Sequence, residues 1–185
     1  MIYADPPWEY RDKLRLSGDI PRGGAESHYS CLTPETIKAI PVASICERDS
    51  VLLLWSTYPQ LPVAMDVMVA WGYKYVTVLW TWIKLTKTGK VFTGLGHYSR
   101  ANPEVVLLGK RGKGVPVRRH DIKNVQHHER LAHSEKPDLF RDLNTKLFEP
   151  VSCVELFARK DAGSPWDYWG EGLGSSPYIP VGGTT

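Results

Sequence analysis

Hydrophobic and polar positions alternate along this chain in two distinct rhythms. Ile2 to Ala4 is a short apolar run that stops at Asp5-Pro6-Pro7. Ser50 to Ser56, S-V-L-L-L-W-S, is apolar over strand length and reads as a strand buried on both faces. Tyr73 to Lys84 is rich in Val, Thr, Tyr and Trp and predicts a long strand. Glu104 to Leu108 and Ser152 to Phe157 predict two more, and Trp166 to Trp169 a short last one. Helical spacing appears between them. Thr33-Pro34-Glu35 offers a capping hydroxyl, a first-turn proline and an early acid for a short helix ending near Pro41. Pro62 to Trp71 is amphipathic and closed by Gly72. Asp138 to Phe148 puts Leu139, Phe140, Leu143 and Leu147 on one face, with Pro137 before it.

Strands alternating with helices predict an α/β fold: a mainly parallel, twisted sheet with helices on both faces. The 185 residues suit a single domain, placed at 1–172, with a Gly/Ser/Pro-rich flexible tail over 173–185. Glu9 to Ser30 lacks periodicity and carries Gly18, Pro21, Gly23 and Gly24. A loop of that length directly after a strand end predicts a mobile active-site loop.

Composition narrows the class. Hydrophobic content of 42% and charged content of 23% fit a soluble globular protein, and the apolar runs are too short to span a bilayer. Three scattered cysteines fit a reduced, cytoplasmic setting. The net charge of +3 is mild. However, Lys110, Arg111, Lys113, Arg118, Arg119 and Lys123 crowd one segment against the single acid Asp121. Such a segment either follows a nucleic-acid backbone or is a solvated loop. His127, His128 and His133 have neither nearby cysteines nor an H-E-x-x-H helix, so no metal site is expected.

The candidate chemistry sits at the start. Pro6 disfavours helix at Asp5, so Asp5 stands at the carboxyl end of the first strand, where ligands bind in open α/β sheets. An exocyclic amine on adenine is a poor nucleophile because its lone pair is delocalised into the ring. The Asp5 carboxylate and the Pro6 carbonyl are two acceptors for its N–H groups, and Trp8 offers a face for stacking on the base. The alternative for D-P-P-W is a strand-ending turn with a buried tryptophan.

The whole chain then resembles the MT-A70 family of S-adenosylmethionine-dependent adenine-N6 methyltransferases. The matches run in order. D-P-P-W is Asp5 to Trp8, a loop tyrosine is Tyr29, and an apolar strand ends at Trp55. W-G-Y is Trp71 to Tyr73, W-x-K is Trp82 to Lys84, and G-H-Y is Gly96 to Tyr98, with Glu104 beyond it. H-S-x-K-P is His133 to Pro137, E-L-F-A-R is Glu155 to Arg159, and Trp166 precedes Trp169-Gly170-Glu171.

The resemblance implies a Rossmann-like methyltransferase with a permuted motif order and S-adenosylmethionine as cofactor. It implies Asp5, Pro6, Pro7 and Trp8 as the catalytic motif. Lys136, Phe157, Arg159 and Glu171 would line the cofactor pocket, with Lys136 on the cofactor's carboxylate and Arg159 or Glu171 on ribose hydroxyls. Tyr29, His97, Tyr98 and Glu104 would shape the pocket for the target nucleotide, joined by Arg118 and Arg119 from the basic segment. Glu104 pairing only with Arg100 or with a basic residue of a loop is the plainer alternative. The family usually has residues before D-P-P-W, and only four precede it here. Family members also often carry asparagine where Glu171 stands.

The expected function is methyl transfer to N6 of adenine in nucleic acid, with DNA favoured in a bacterial or phage setting. RNA is the alternative substrate, and a non-catalytic nucleic-acid-binding partner subunit is the alternative role. A homo- or heterodimer stays open. A nucleotide-binding domain of unrelated function is weakened by the absence of G-x-G-x-x-G and G-x-x-x-x-G-K.

Overall fold

A computed structural model describes residues 1–9, 31–96, 98–132, 134–170 and 173–175. Eight strands form one sheet: β1 (Ile2–Ala4), β2 (Ser50–Ser56), β3 (Lys74–Leu85), β4 (Glu104–Arg111), β5 (Val125–Glu129), β6 (Cys153–Leu156), β7 (Trp166–Gly170) and β8 (Gly174–Ser175). Their order is β5-β3-β4-β2-β1-β6-β7-β8. The sheet is mixed. β1 lies parallel between β2 and β6, whereas β4 runs antiparallel to both β2 and β3, and β8 antiparallel to β7. This is an α/β, Rossmann-like arrangement.

Among the described residues three α-helices cover the faces: α1 (Pro34–Ala39), α2 (Leu61–Ala70) and α3 (Leu139–Leu147). Side chains alternate across a strand, so β1 and β2 feed two cores. Ile2, Ala4, Leu52 and Leu54 pack with Ile37 of α1 and Ala64, Val67 and Met68 of α2. Tyr3, Val51, Leu53 and Trp55 pack with Phe140, Leu143 and Leu147 of α3. That is why Ser50–Ser56 is apolar without alternation: every residue of β2 is buried. Helix α1 starts as its sequence predicts. Thr33 Oγ1 accepts from the Thr36 N–H at 3.2 Å, and Pro34 fills the first turn. Gly72 takes φ +83° after α2, a conformation that a side chain would strain.

Three features differ from expectation. Strand β5 was not foreseen, because V-Q-H-H-E is too polar to read as a strand, and an edge strand half open to solvent can carry such a sequence. β4 extends to Arg111 rather than stopping at Leu108, so Lys110 and Arg111 belong to a strand and not to the basic loop. Gly174–Ser175, assigned to the tail, pairs with β7, while 176–185 lie outside the described residues. The loop at 10–30 also lies outside them. Among the described residues no helix is long and apolar enough to cross a membrane.

Because β4 is reversed, its first residue stands beside the last residues of β2 and β3. The ends of β1, β2, β3 and β6 and the start of β4 therefore meet on one edge of the sheet. That edge carries the candidate site.

Candidate active site

A solvent-open cleft lies on this edge, with Asp5, Pro6, Pro7, Trp8, Cys31, Trp55, Glu104, Ser134, Lys136 and Arg159 in its walls. Asp5 follows β1 directly. The backbone turns sharply beyond it: Trp8 N–H donates to the Pro6 carbonyl at 2.9 Å, and Leu32 N–H to the Pro7 carbonyl at 2.9 Å. The Pro6 carbonyl thus keeps one lone pair for a further donor.

Trp8 is 6% exposed, and its indole N–H donates to the Trp55 carbonyl at 3.2 Å. It belongs to the core under α1 and α2. The stacking platform expected of Trp8 is therefore mostly turned inward, as in the plainer reading of a strand-ending turn with a buried tryptophan. Its contribution to the cleft is a fixed wall.

Four charged side chains alternate across the site. Lys136 Nζ donates to Asp5 Oδ2 at 2.8 Å and faces Glu104 Oε2 at 3.3 Å. Lys84 Nζ reaches Glu104 Oε1 at 2.5 Å. Lys136 Nζ also lies 3.4 Å from the Ser134 carbonyl and 5.3 Å from the Trp55 ring centroid. Burial pushes the Asp5 carboxyl above the usual carboxylate range, and Lys136 offsets this only in part. Burial acts the same way on Glu104, but Lys136 and Lys84 outweigh it and hold Glu104 below its ordinary value. Burial would lower Lys136; Asp5 and Glu104 reverse that and keep it firmly protonated.

Glu104 therefore pairs with Lys84 and Lys136 rather than with Arg100 alone. Lys136, expected on a cofactor carboxylate, is here occupied by the two acids. Lys84 is the member of this cluster not singled out from the sequence. The signal was present in W-x-K, since Trp82 pairs with Glu104 across the sheet and Lys84 lies two residues on, on the same face.

Phe157 leaves β6 with φ +62° and meets Trp169 edge-on at 5.5 Å between ring centroids. The turn it starts presents Arg159 at the mouth of the cleft. Ala158 N–H donates to the Trp169 carbonyl at 3.0 Å, tying this turn to β7. Tyr98 is fully exposed. Arg118 and Arg119 are not brought to the cleft. Their N–H groups donate to the Leu147 carbonyl at the far end of α3, on the opposite edge of the sheet, and Arg119 is paired with Asp121. Tyr29, His97 and Glu171 lie outside the described residues. His127 and His128 stand on β5, and among the described residues no group of three His, Cys, Asp or Glu side chains is placed to hold a metal ion.

The donor set offers a guanidinium to a cofactor carboxylate, from Arg159 in the cleft wall, whereas the carboxylates of Asp5 and Glu104 are balanced by Lys136 and Lys84.

Comparison with known proteins gives a consistent picture. A family profile described as MT-A70 matches residues 1–172. The type II methyltransferase M.MunI of Mycoplasma is 32% identical over 184 residues, covering 92% of this chain and 76% of that protein. The N(6)-adenine-specific methyltransferase METTL4 of Mus musculus is 26% identical over 182 residues, 91% of this chain and 36% of METTL4. The N6-methyladenosine RNA methyltransferase MTA1 of Cryphonectria parasitica is 27% identical over 179 residues, 92% of this chain and 50% of MTA1.

Proposed function

The chain belongs to the MT-A70 family, and from that membership we propose that it transfers a methyl group from S-adenosylmethionine to N6 of adenine in nucleic acid. We assign DNA ahead of RNA as the substrate, because the relative at 32% identity is a type II methyltransferase and the one named for RNA is at 27%. The observation that carries the reading is the position of Asp5. It ends β1 in a cleft shared with the Pro6 carbonyl, Lys136 and Arg159.

The cofactor supplies an electrophilic methyl group on a sulfonium. The protein's part is to prepare the amine. Asp5 Oδ1 accepts one N–H of N6 and the Pro6 carbonyl the other. Two acceptors draw the nitrogen toward a tetrahedral shape and return its lone pair from the ring. Lys136 holds Oδ2, which fixes the carboxylate plane and leaves Oδ1 for the amine. As the N–C bond forms, the methyl's bond to sulfur would break and leave a neutral thioether, and the surplus proton on N6 passes to Asp5 Oδ1. The amine is itself the nucleophile once its lone pair is returned, so attack is direct, with no covalent enzyme intermediate. Positioning and exclusion of water supply most of the acceleration. We assign Arg159 and Phe157 to the cofactor side, Tyr98 and Glu104 to the nucleotide side, and keep Lys136 on Asp5 and Glu104. Residues 1–172 are taken as one methyltransferase domain.

The test is label transfer from S-adenosylmethionine onto DNA and RNA pools of matched sequence, with mapping of the modified positions. Asp5→Ala is expected to abolish transfer while leaving the melting temperature within a few degrees. Full activity in Asp5→Ala refutes the mechanism. Transfer onto RNA alone reverses the substrate assignment.

A further inference from the structure

Lys84 is the one charged member of the site cluster without a role in the reaction above. A lysine at the end of an edge-proximal strand is usually solvated, its ammonium free to meet a phosphate. This one is pinned. Its side chain is 21% exposed, and Nζ lies 2.5 Å from Glu104 Oε1 and 5.3 Å from the centroid of the Trp82 ring. Its backbone is pinned too. Asn102 Oδ1 accepts from the Lys84 N–H at 2.9 Å, and Asn102 Nδ2 donates to the Lys84 carbonyl at 3.0 Å. Asn102 precedes Glu104 by two residues, so one side chain fixes the end of β3 against the start of β4, and Lys84 against Glu104. The Trp82 ring is itself fixed, with its N–H donating to the His128 carbonyl at 3.0 Å.

The two oxygens of Glu104 are divided between two ammonium groups, Oε1 to Lys84 and Oε2 to Lys136. Lys136 is divided in turn between Glu104 Oε2 and Asp5 Oδ2. We infer that Lys84 is a positioning residue of the methyl-transfer site: by engaging Glu104 Oε1 it limits the pull of Glu104 on Lys136 and so keeps Lys136 on Asp5. The inference rests on Asp5 being the acceptor for the adenine amine.

Remove the Lys84 charge and Glu104 has a single cation left. Lys136 moves toward it and away from Asp5. The other charged groups facing Asp5 are Glu104, which disfavours its ionised form, and Arg159 in the cleft wall, which does not replace a direct hydrogen bond to Oδ2. Asp5 is then less well oriented and harder to ionise. Because the ionised carboxylate is the acceptor, activity on the acid side is lost at a higher pH than in the wild type.

The experiment is the pH dependence of single-turnover methyl transfer onto an adenine-containing oligonucleotide, for wild type, Lys84→Met, Lys84→Arg, Glu104→Gln and the double variant Lys84→Met with Glu104→Gln. Lys84→Met should move the acid limb upward by roughly half a unit to one unit. At a fixed pH on that limb the rate then falls by up to about tenfold. KM for the oligonucleotide should stay within about twofold, since binding common to ground and transition states is untouched. Lys84→Arg should restore most of the rate. The double variant should be no slower than Glu104→Gln alone, because Lys84 acts only through Glu104. Should Lys84→Met fold poorly, Lys84→Gln carries the same test. A raised KM with steeper loss in salt and an unmoved acid limb would make Lys84 a plain phosphate contact and overturn the inference. So would a double variant much slower than either single one. If the wild type transfers nothing to any adenine substrate, the functional reading fails on its own. The Lys84 inference is then read from the titration of the Asp5 carboxyl by carbon NMR, where an unchanged midpoint in Lys84→Met refutes it.

Discussion

Asp5 illustrates how a single residue can work against folding and for chemistry. Its carboxyl is pushed above the ordinary range by burial, with Lys136 an incomplete offset. A raised carboxyl favours the protonated form in the folded state. Its contribution to stability is therefore fully present below the unfolded pKa and lost as pH rises through the folded one. At neutral pH ionised Asp5 is a cost, which is why Asp5→Ala should not lower the melting temperature by much, since Glu104 still compensates Lys136. The same sign sets the activity. Methyl transfer should decline on acidification at a pH above the ordinary aspartate value, and a pH–rate profile reaching full activity down to the ordinary value would contradict the assignment. Glu104 behaves oppositely: held low by Lys136 and Lys84 against burial, it stabilises the fold above its unfolded pKa and loses that effect as pH falls through the folded one. Trp8 gives a second test at this scale. Its burial and its hydrogen bond to Trp55 predict that Trp8→Ala costs about 3–5 kcal/mol of stability, measured by denaturant unfolding. A surface stacking residue would cost almost nothing. D-P-P-W as a string is compatible with both positions, because nothing in four residues says which way an indole turns.

Helix α3 and the turn after β6 carry the site as elements. Arg141 of α3 meets Glu155 of β6 through two hydrogen bonds, Nε to Oε2 at 2.6 Å and Nη2 to Oε1 at 2.8 Å, and both side chains are nearly buried. This pair locks the helix that follows Lys136 to the strand that precedes Arg159. Glu155→Ala leaves the Arg141 guanidinium with Asp138 as its carboxylate partner and should cost about 2–3 kcal/mol, more than an exposed pair such as Arg119 with Asp121 would. The periodicity of α3 was plain in the sequence, since Phe140, Leu143 and Leu147 repeat at helical spacing. The role of Arg141 was not, because a charged residue among apolar ones reads as solvent-facing until its partner, fourteen residues on in β6, comes into view. The turn after β6 depends on Gly170. A Cβ there would sit 1.9 Å from the Ala158 carbonyl oxygen, which is backbone and cannot swing aside. Gly170→Ala should push the Phe157–Arg159 turn outward, lowering stability by about 1–3 kcal/mol and raising KM for the cofactor more than it lowers kcat. A normal cofactor KM in that variant would separate Arg159 from the cofactor.

At the scale of the molecule, the alternation of apolar strands and amphipathic helices made the α/β class legible, whereas the direction of β4 was not. Strand direction leaves no mark on a buried run such as V-V-L-L, and only the length of the connection from β3 hints at it. The reversal has two consequences for function. It delivers Glu104 to the edge that carries the proposed site, and it carries the chain from there to the opposite edge, where the basic segment begins. β4 spans seven residue steps, about 24 Å. Arg118 and Arg119 sit beyond its far end, against the last residue of α3. A nucleotide in the cleft cannot touch them. Arg118→Ala and Arg119→Ala should therefore leave kcat and KM on a short adenine oligonucleotide within about twofold, while Arg159→Ala at the cleft raises the cofactor KM by about tenfold or more, the loss of one charge-assisted pair. A long duplex can reach round the molecule. If the basic edge engages its phosphates, the two arginine variants will flatten the salt dependence of binding by about one unit each on a log–log plot without changing the rate at saturation. Equal salt slopes for wild type and variants on the long duplex would leave the segment as a solvated edge, with its charge serving solubility alone.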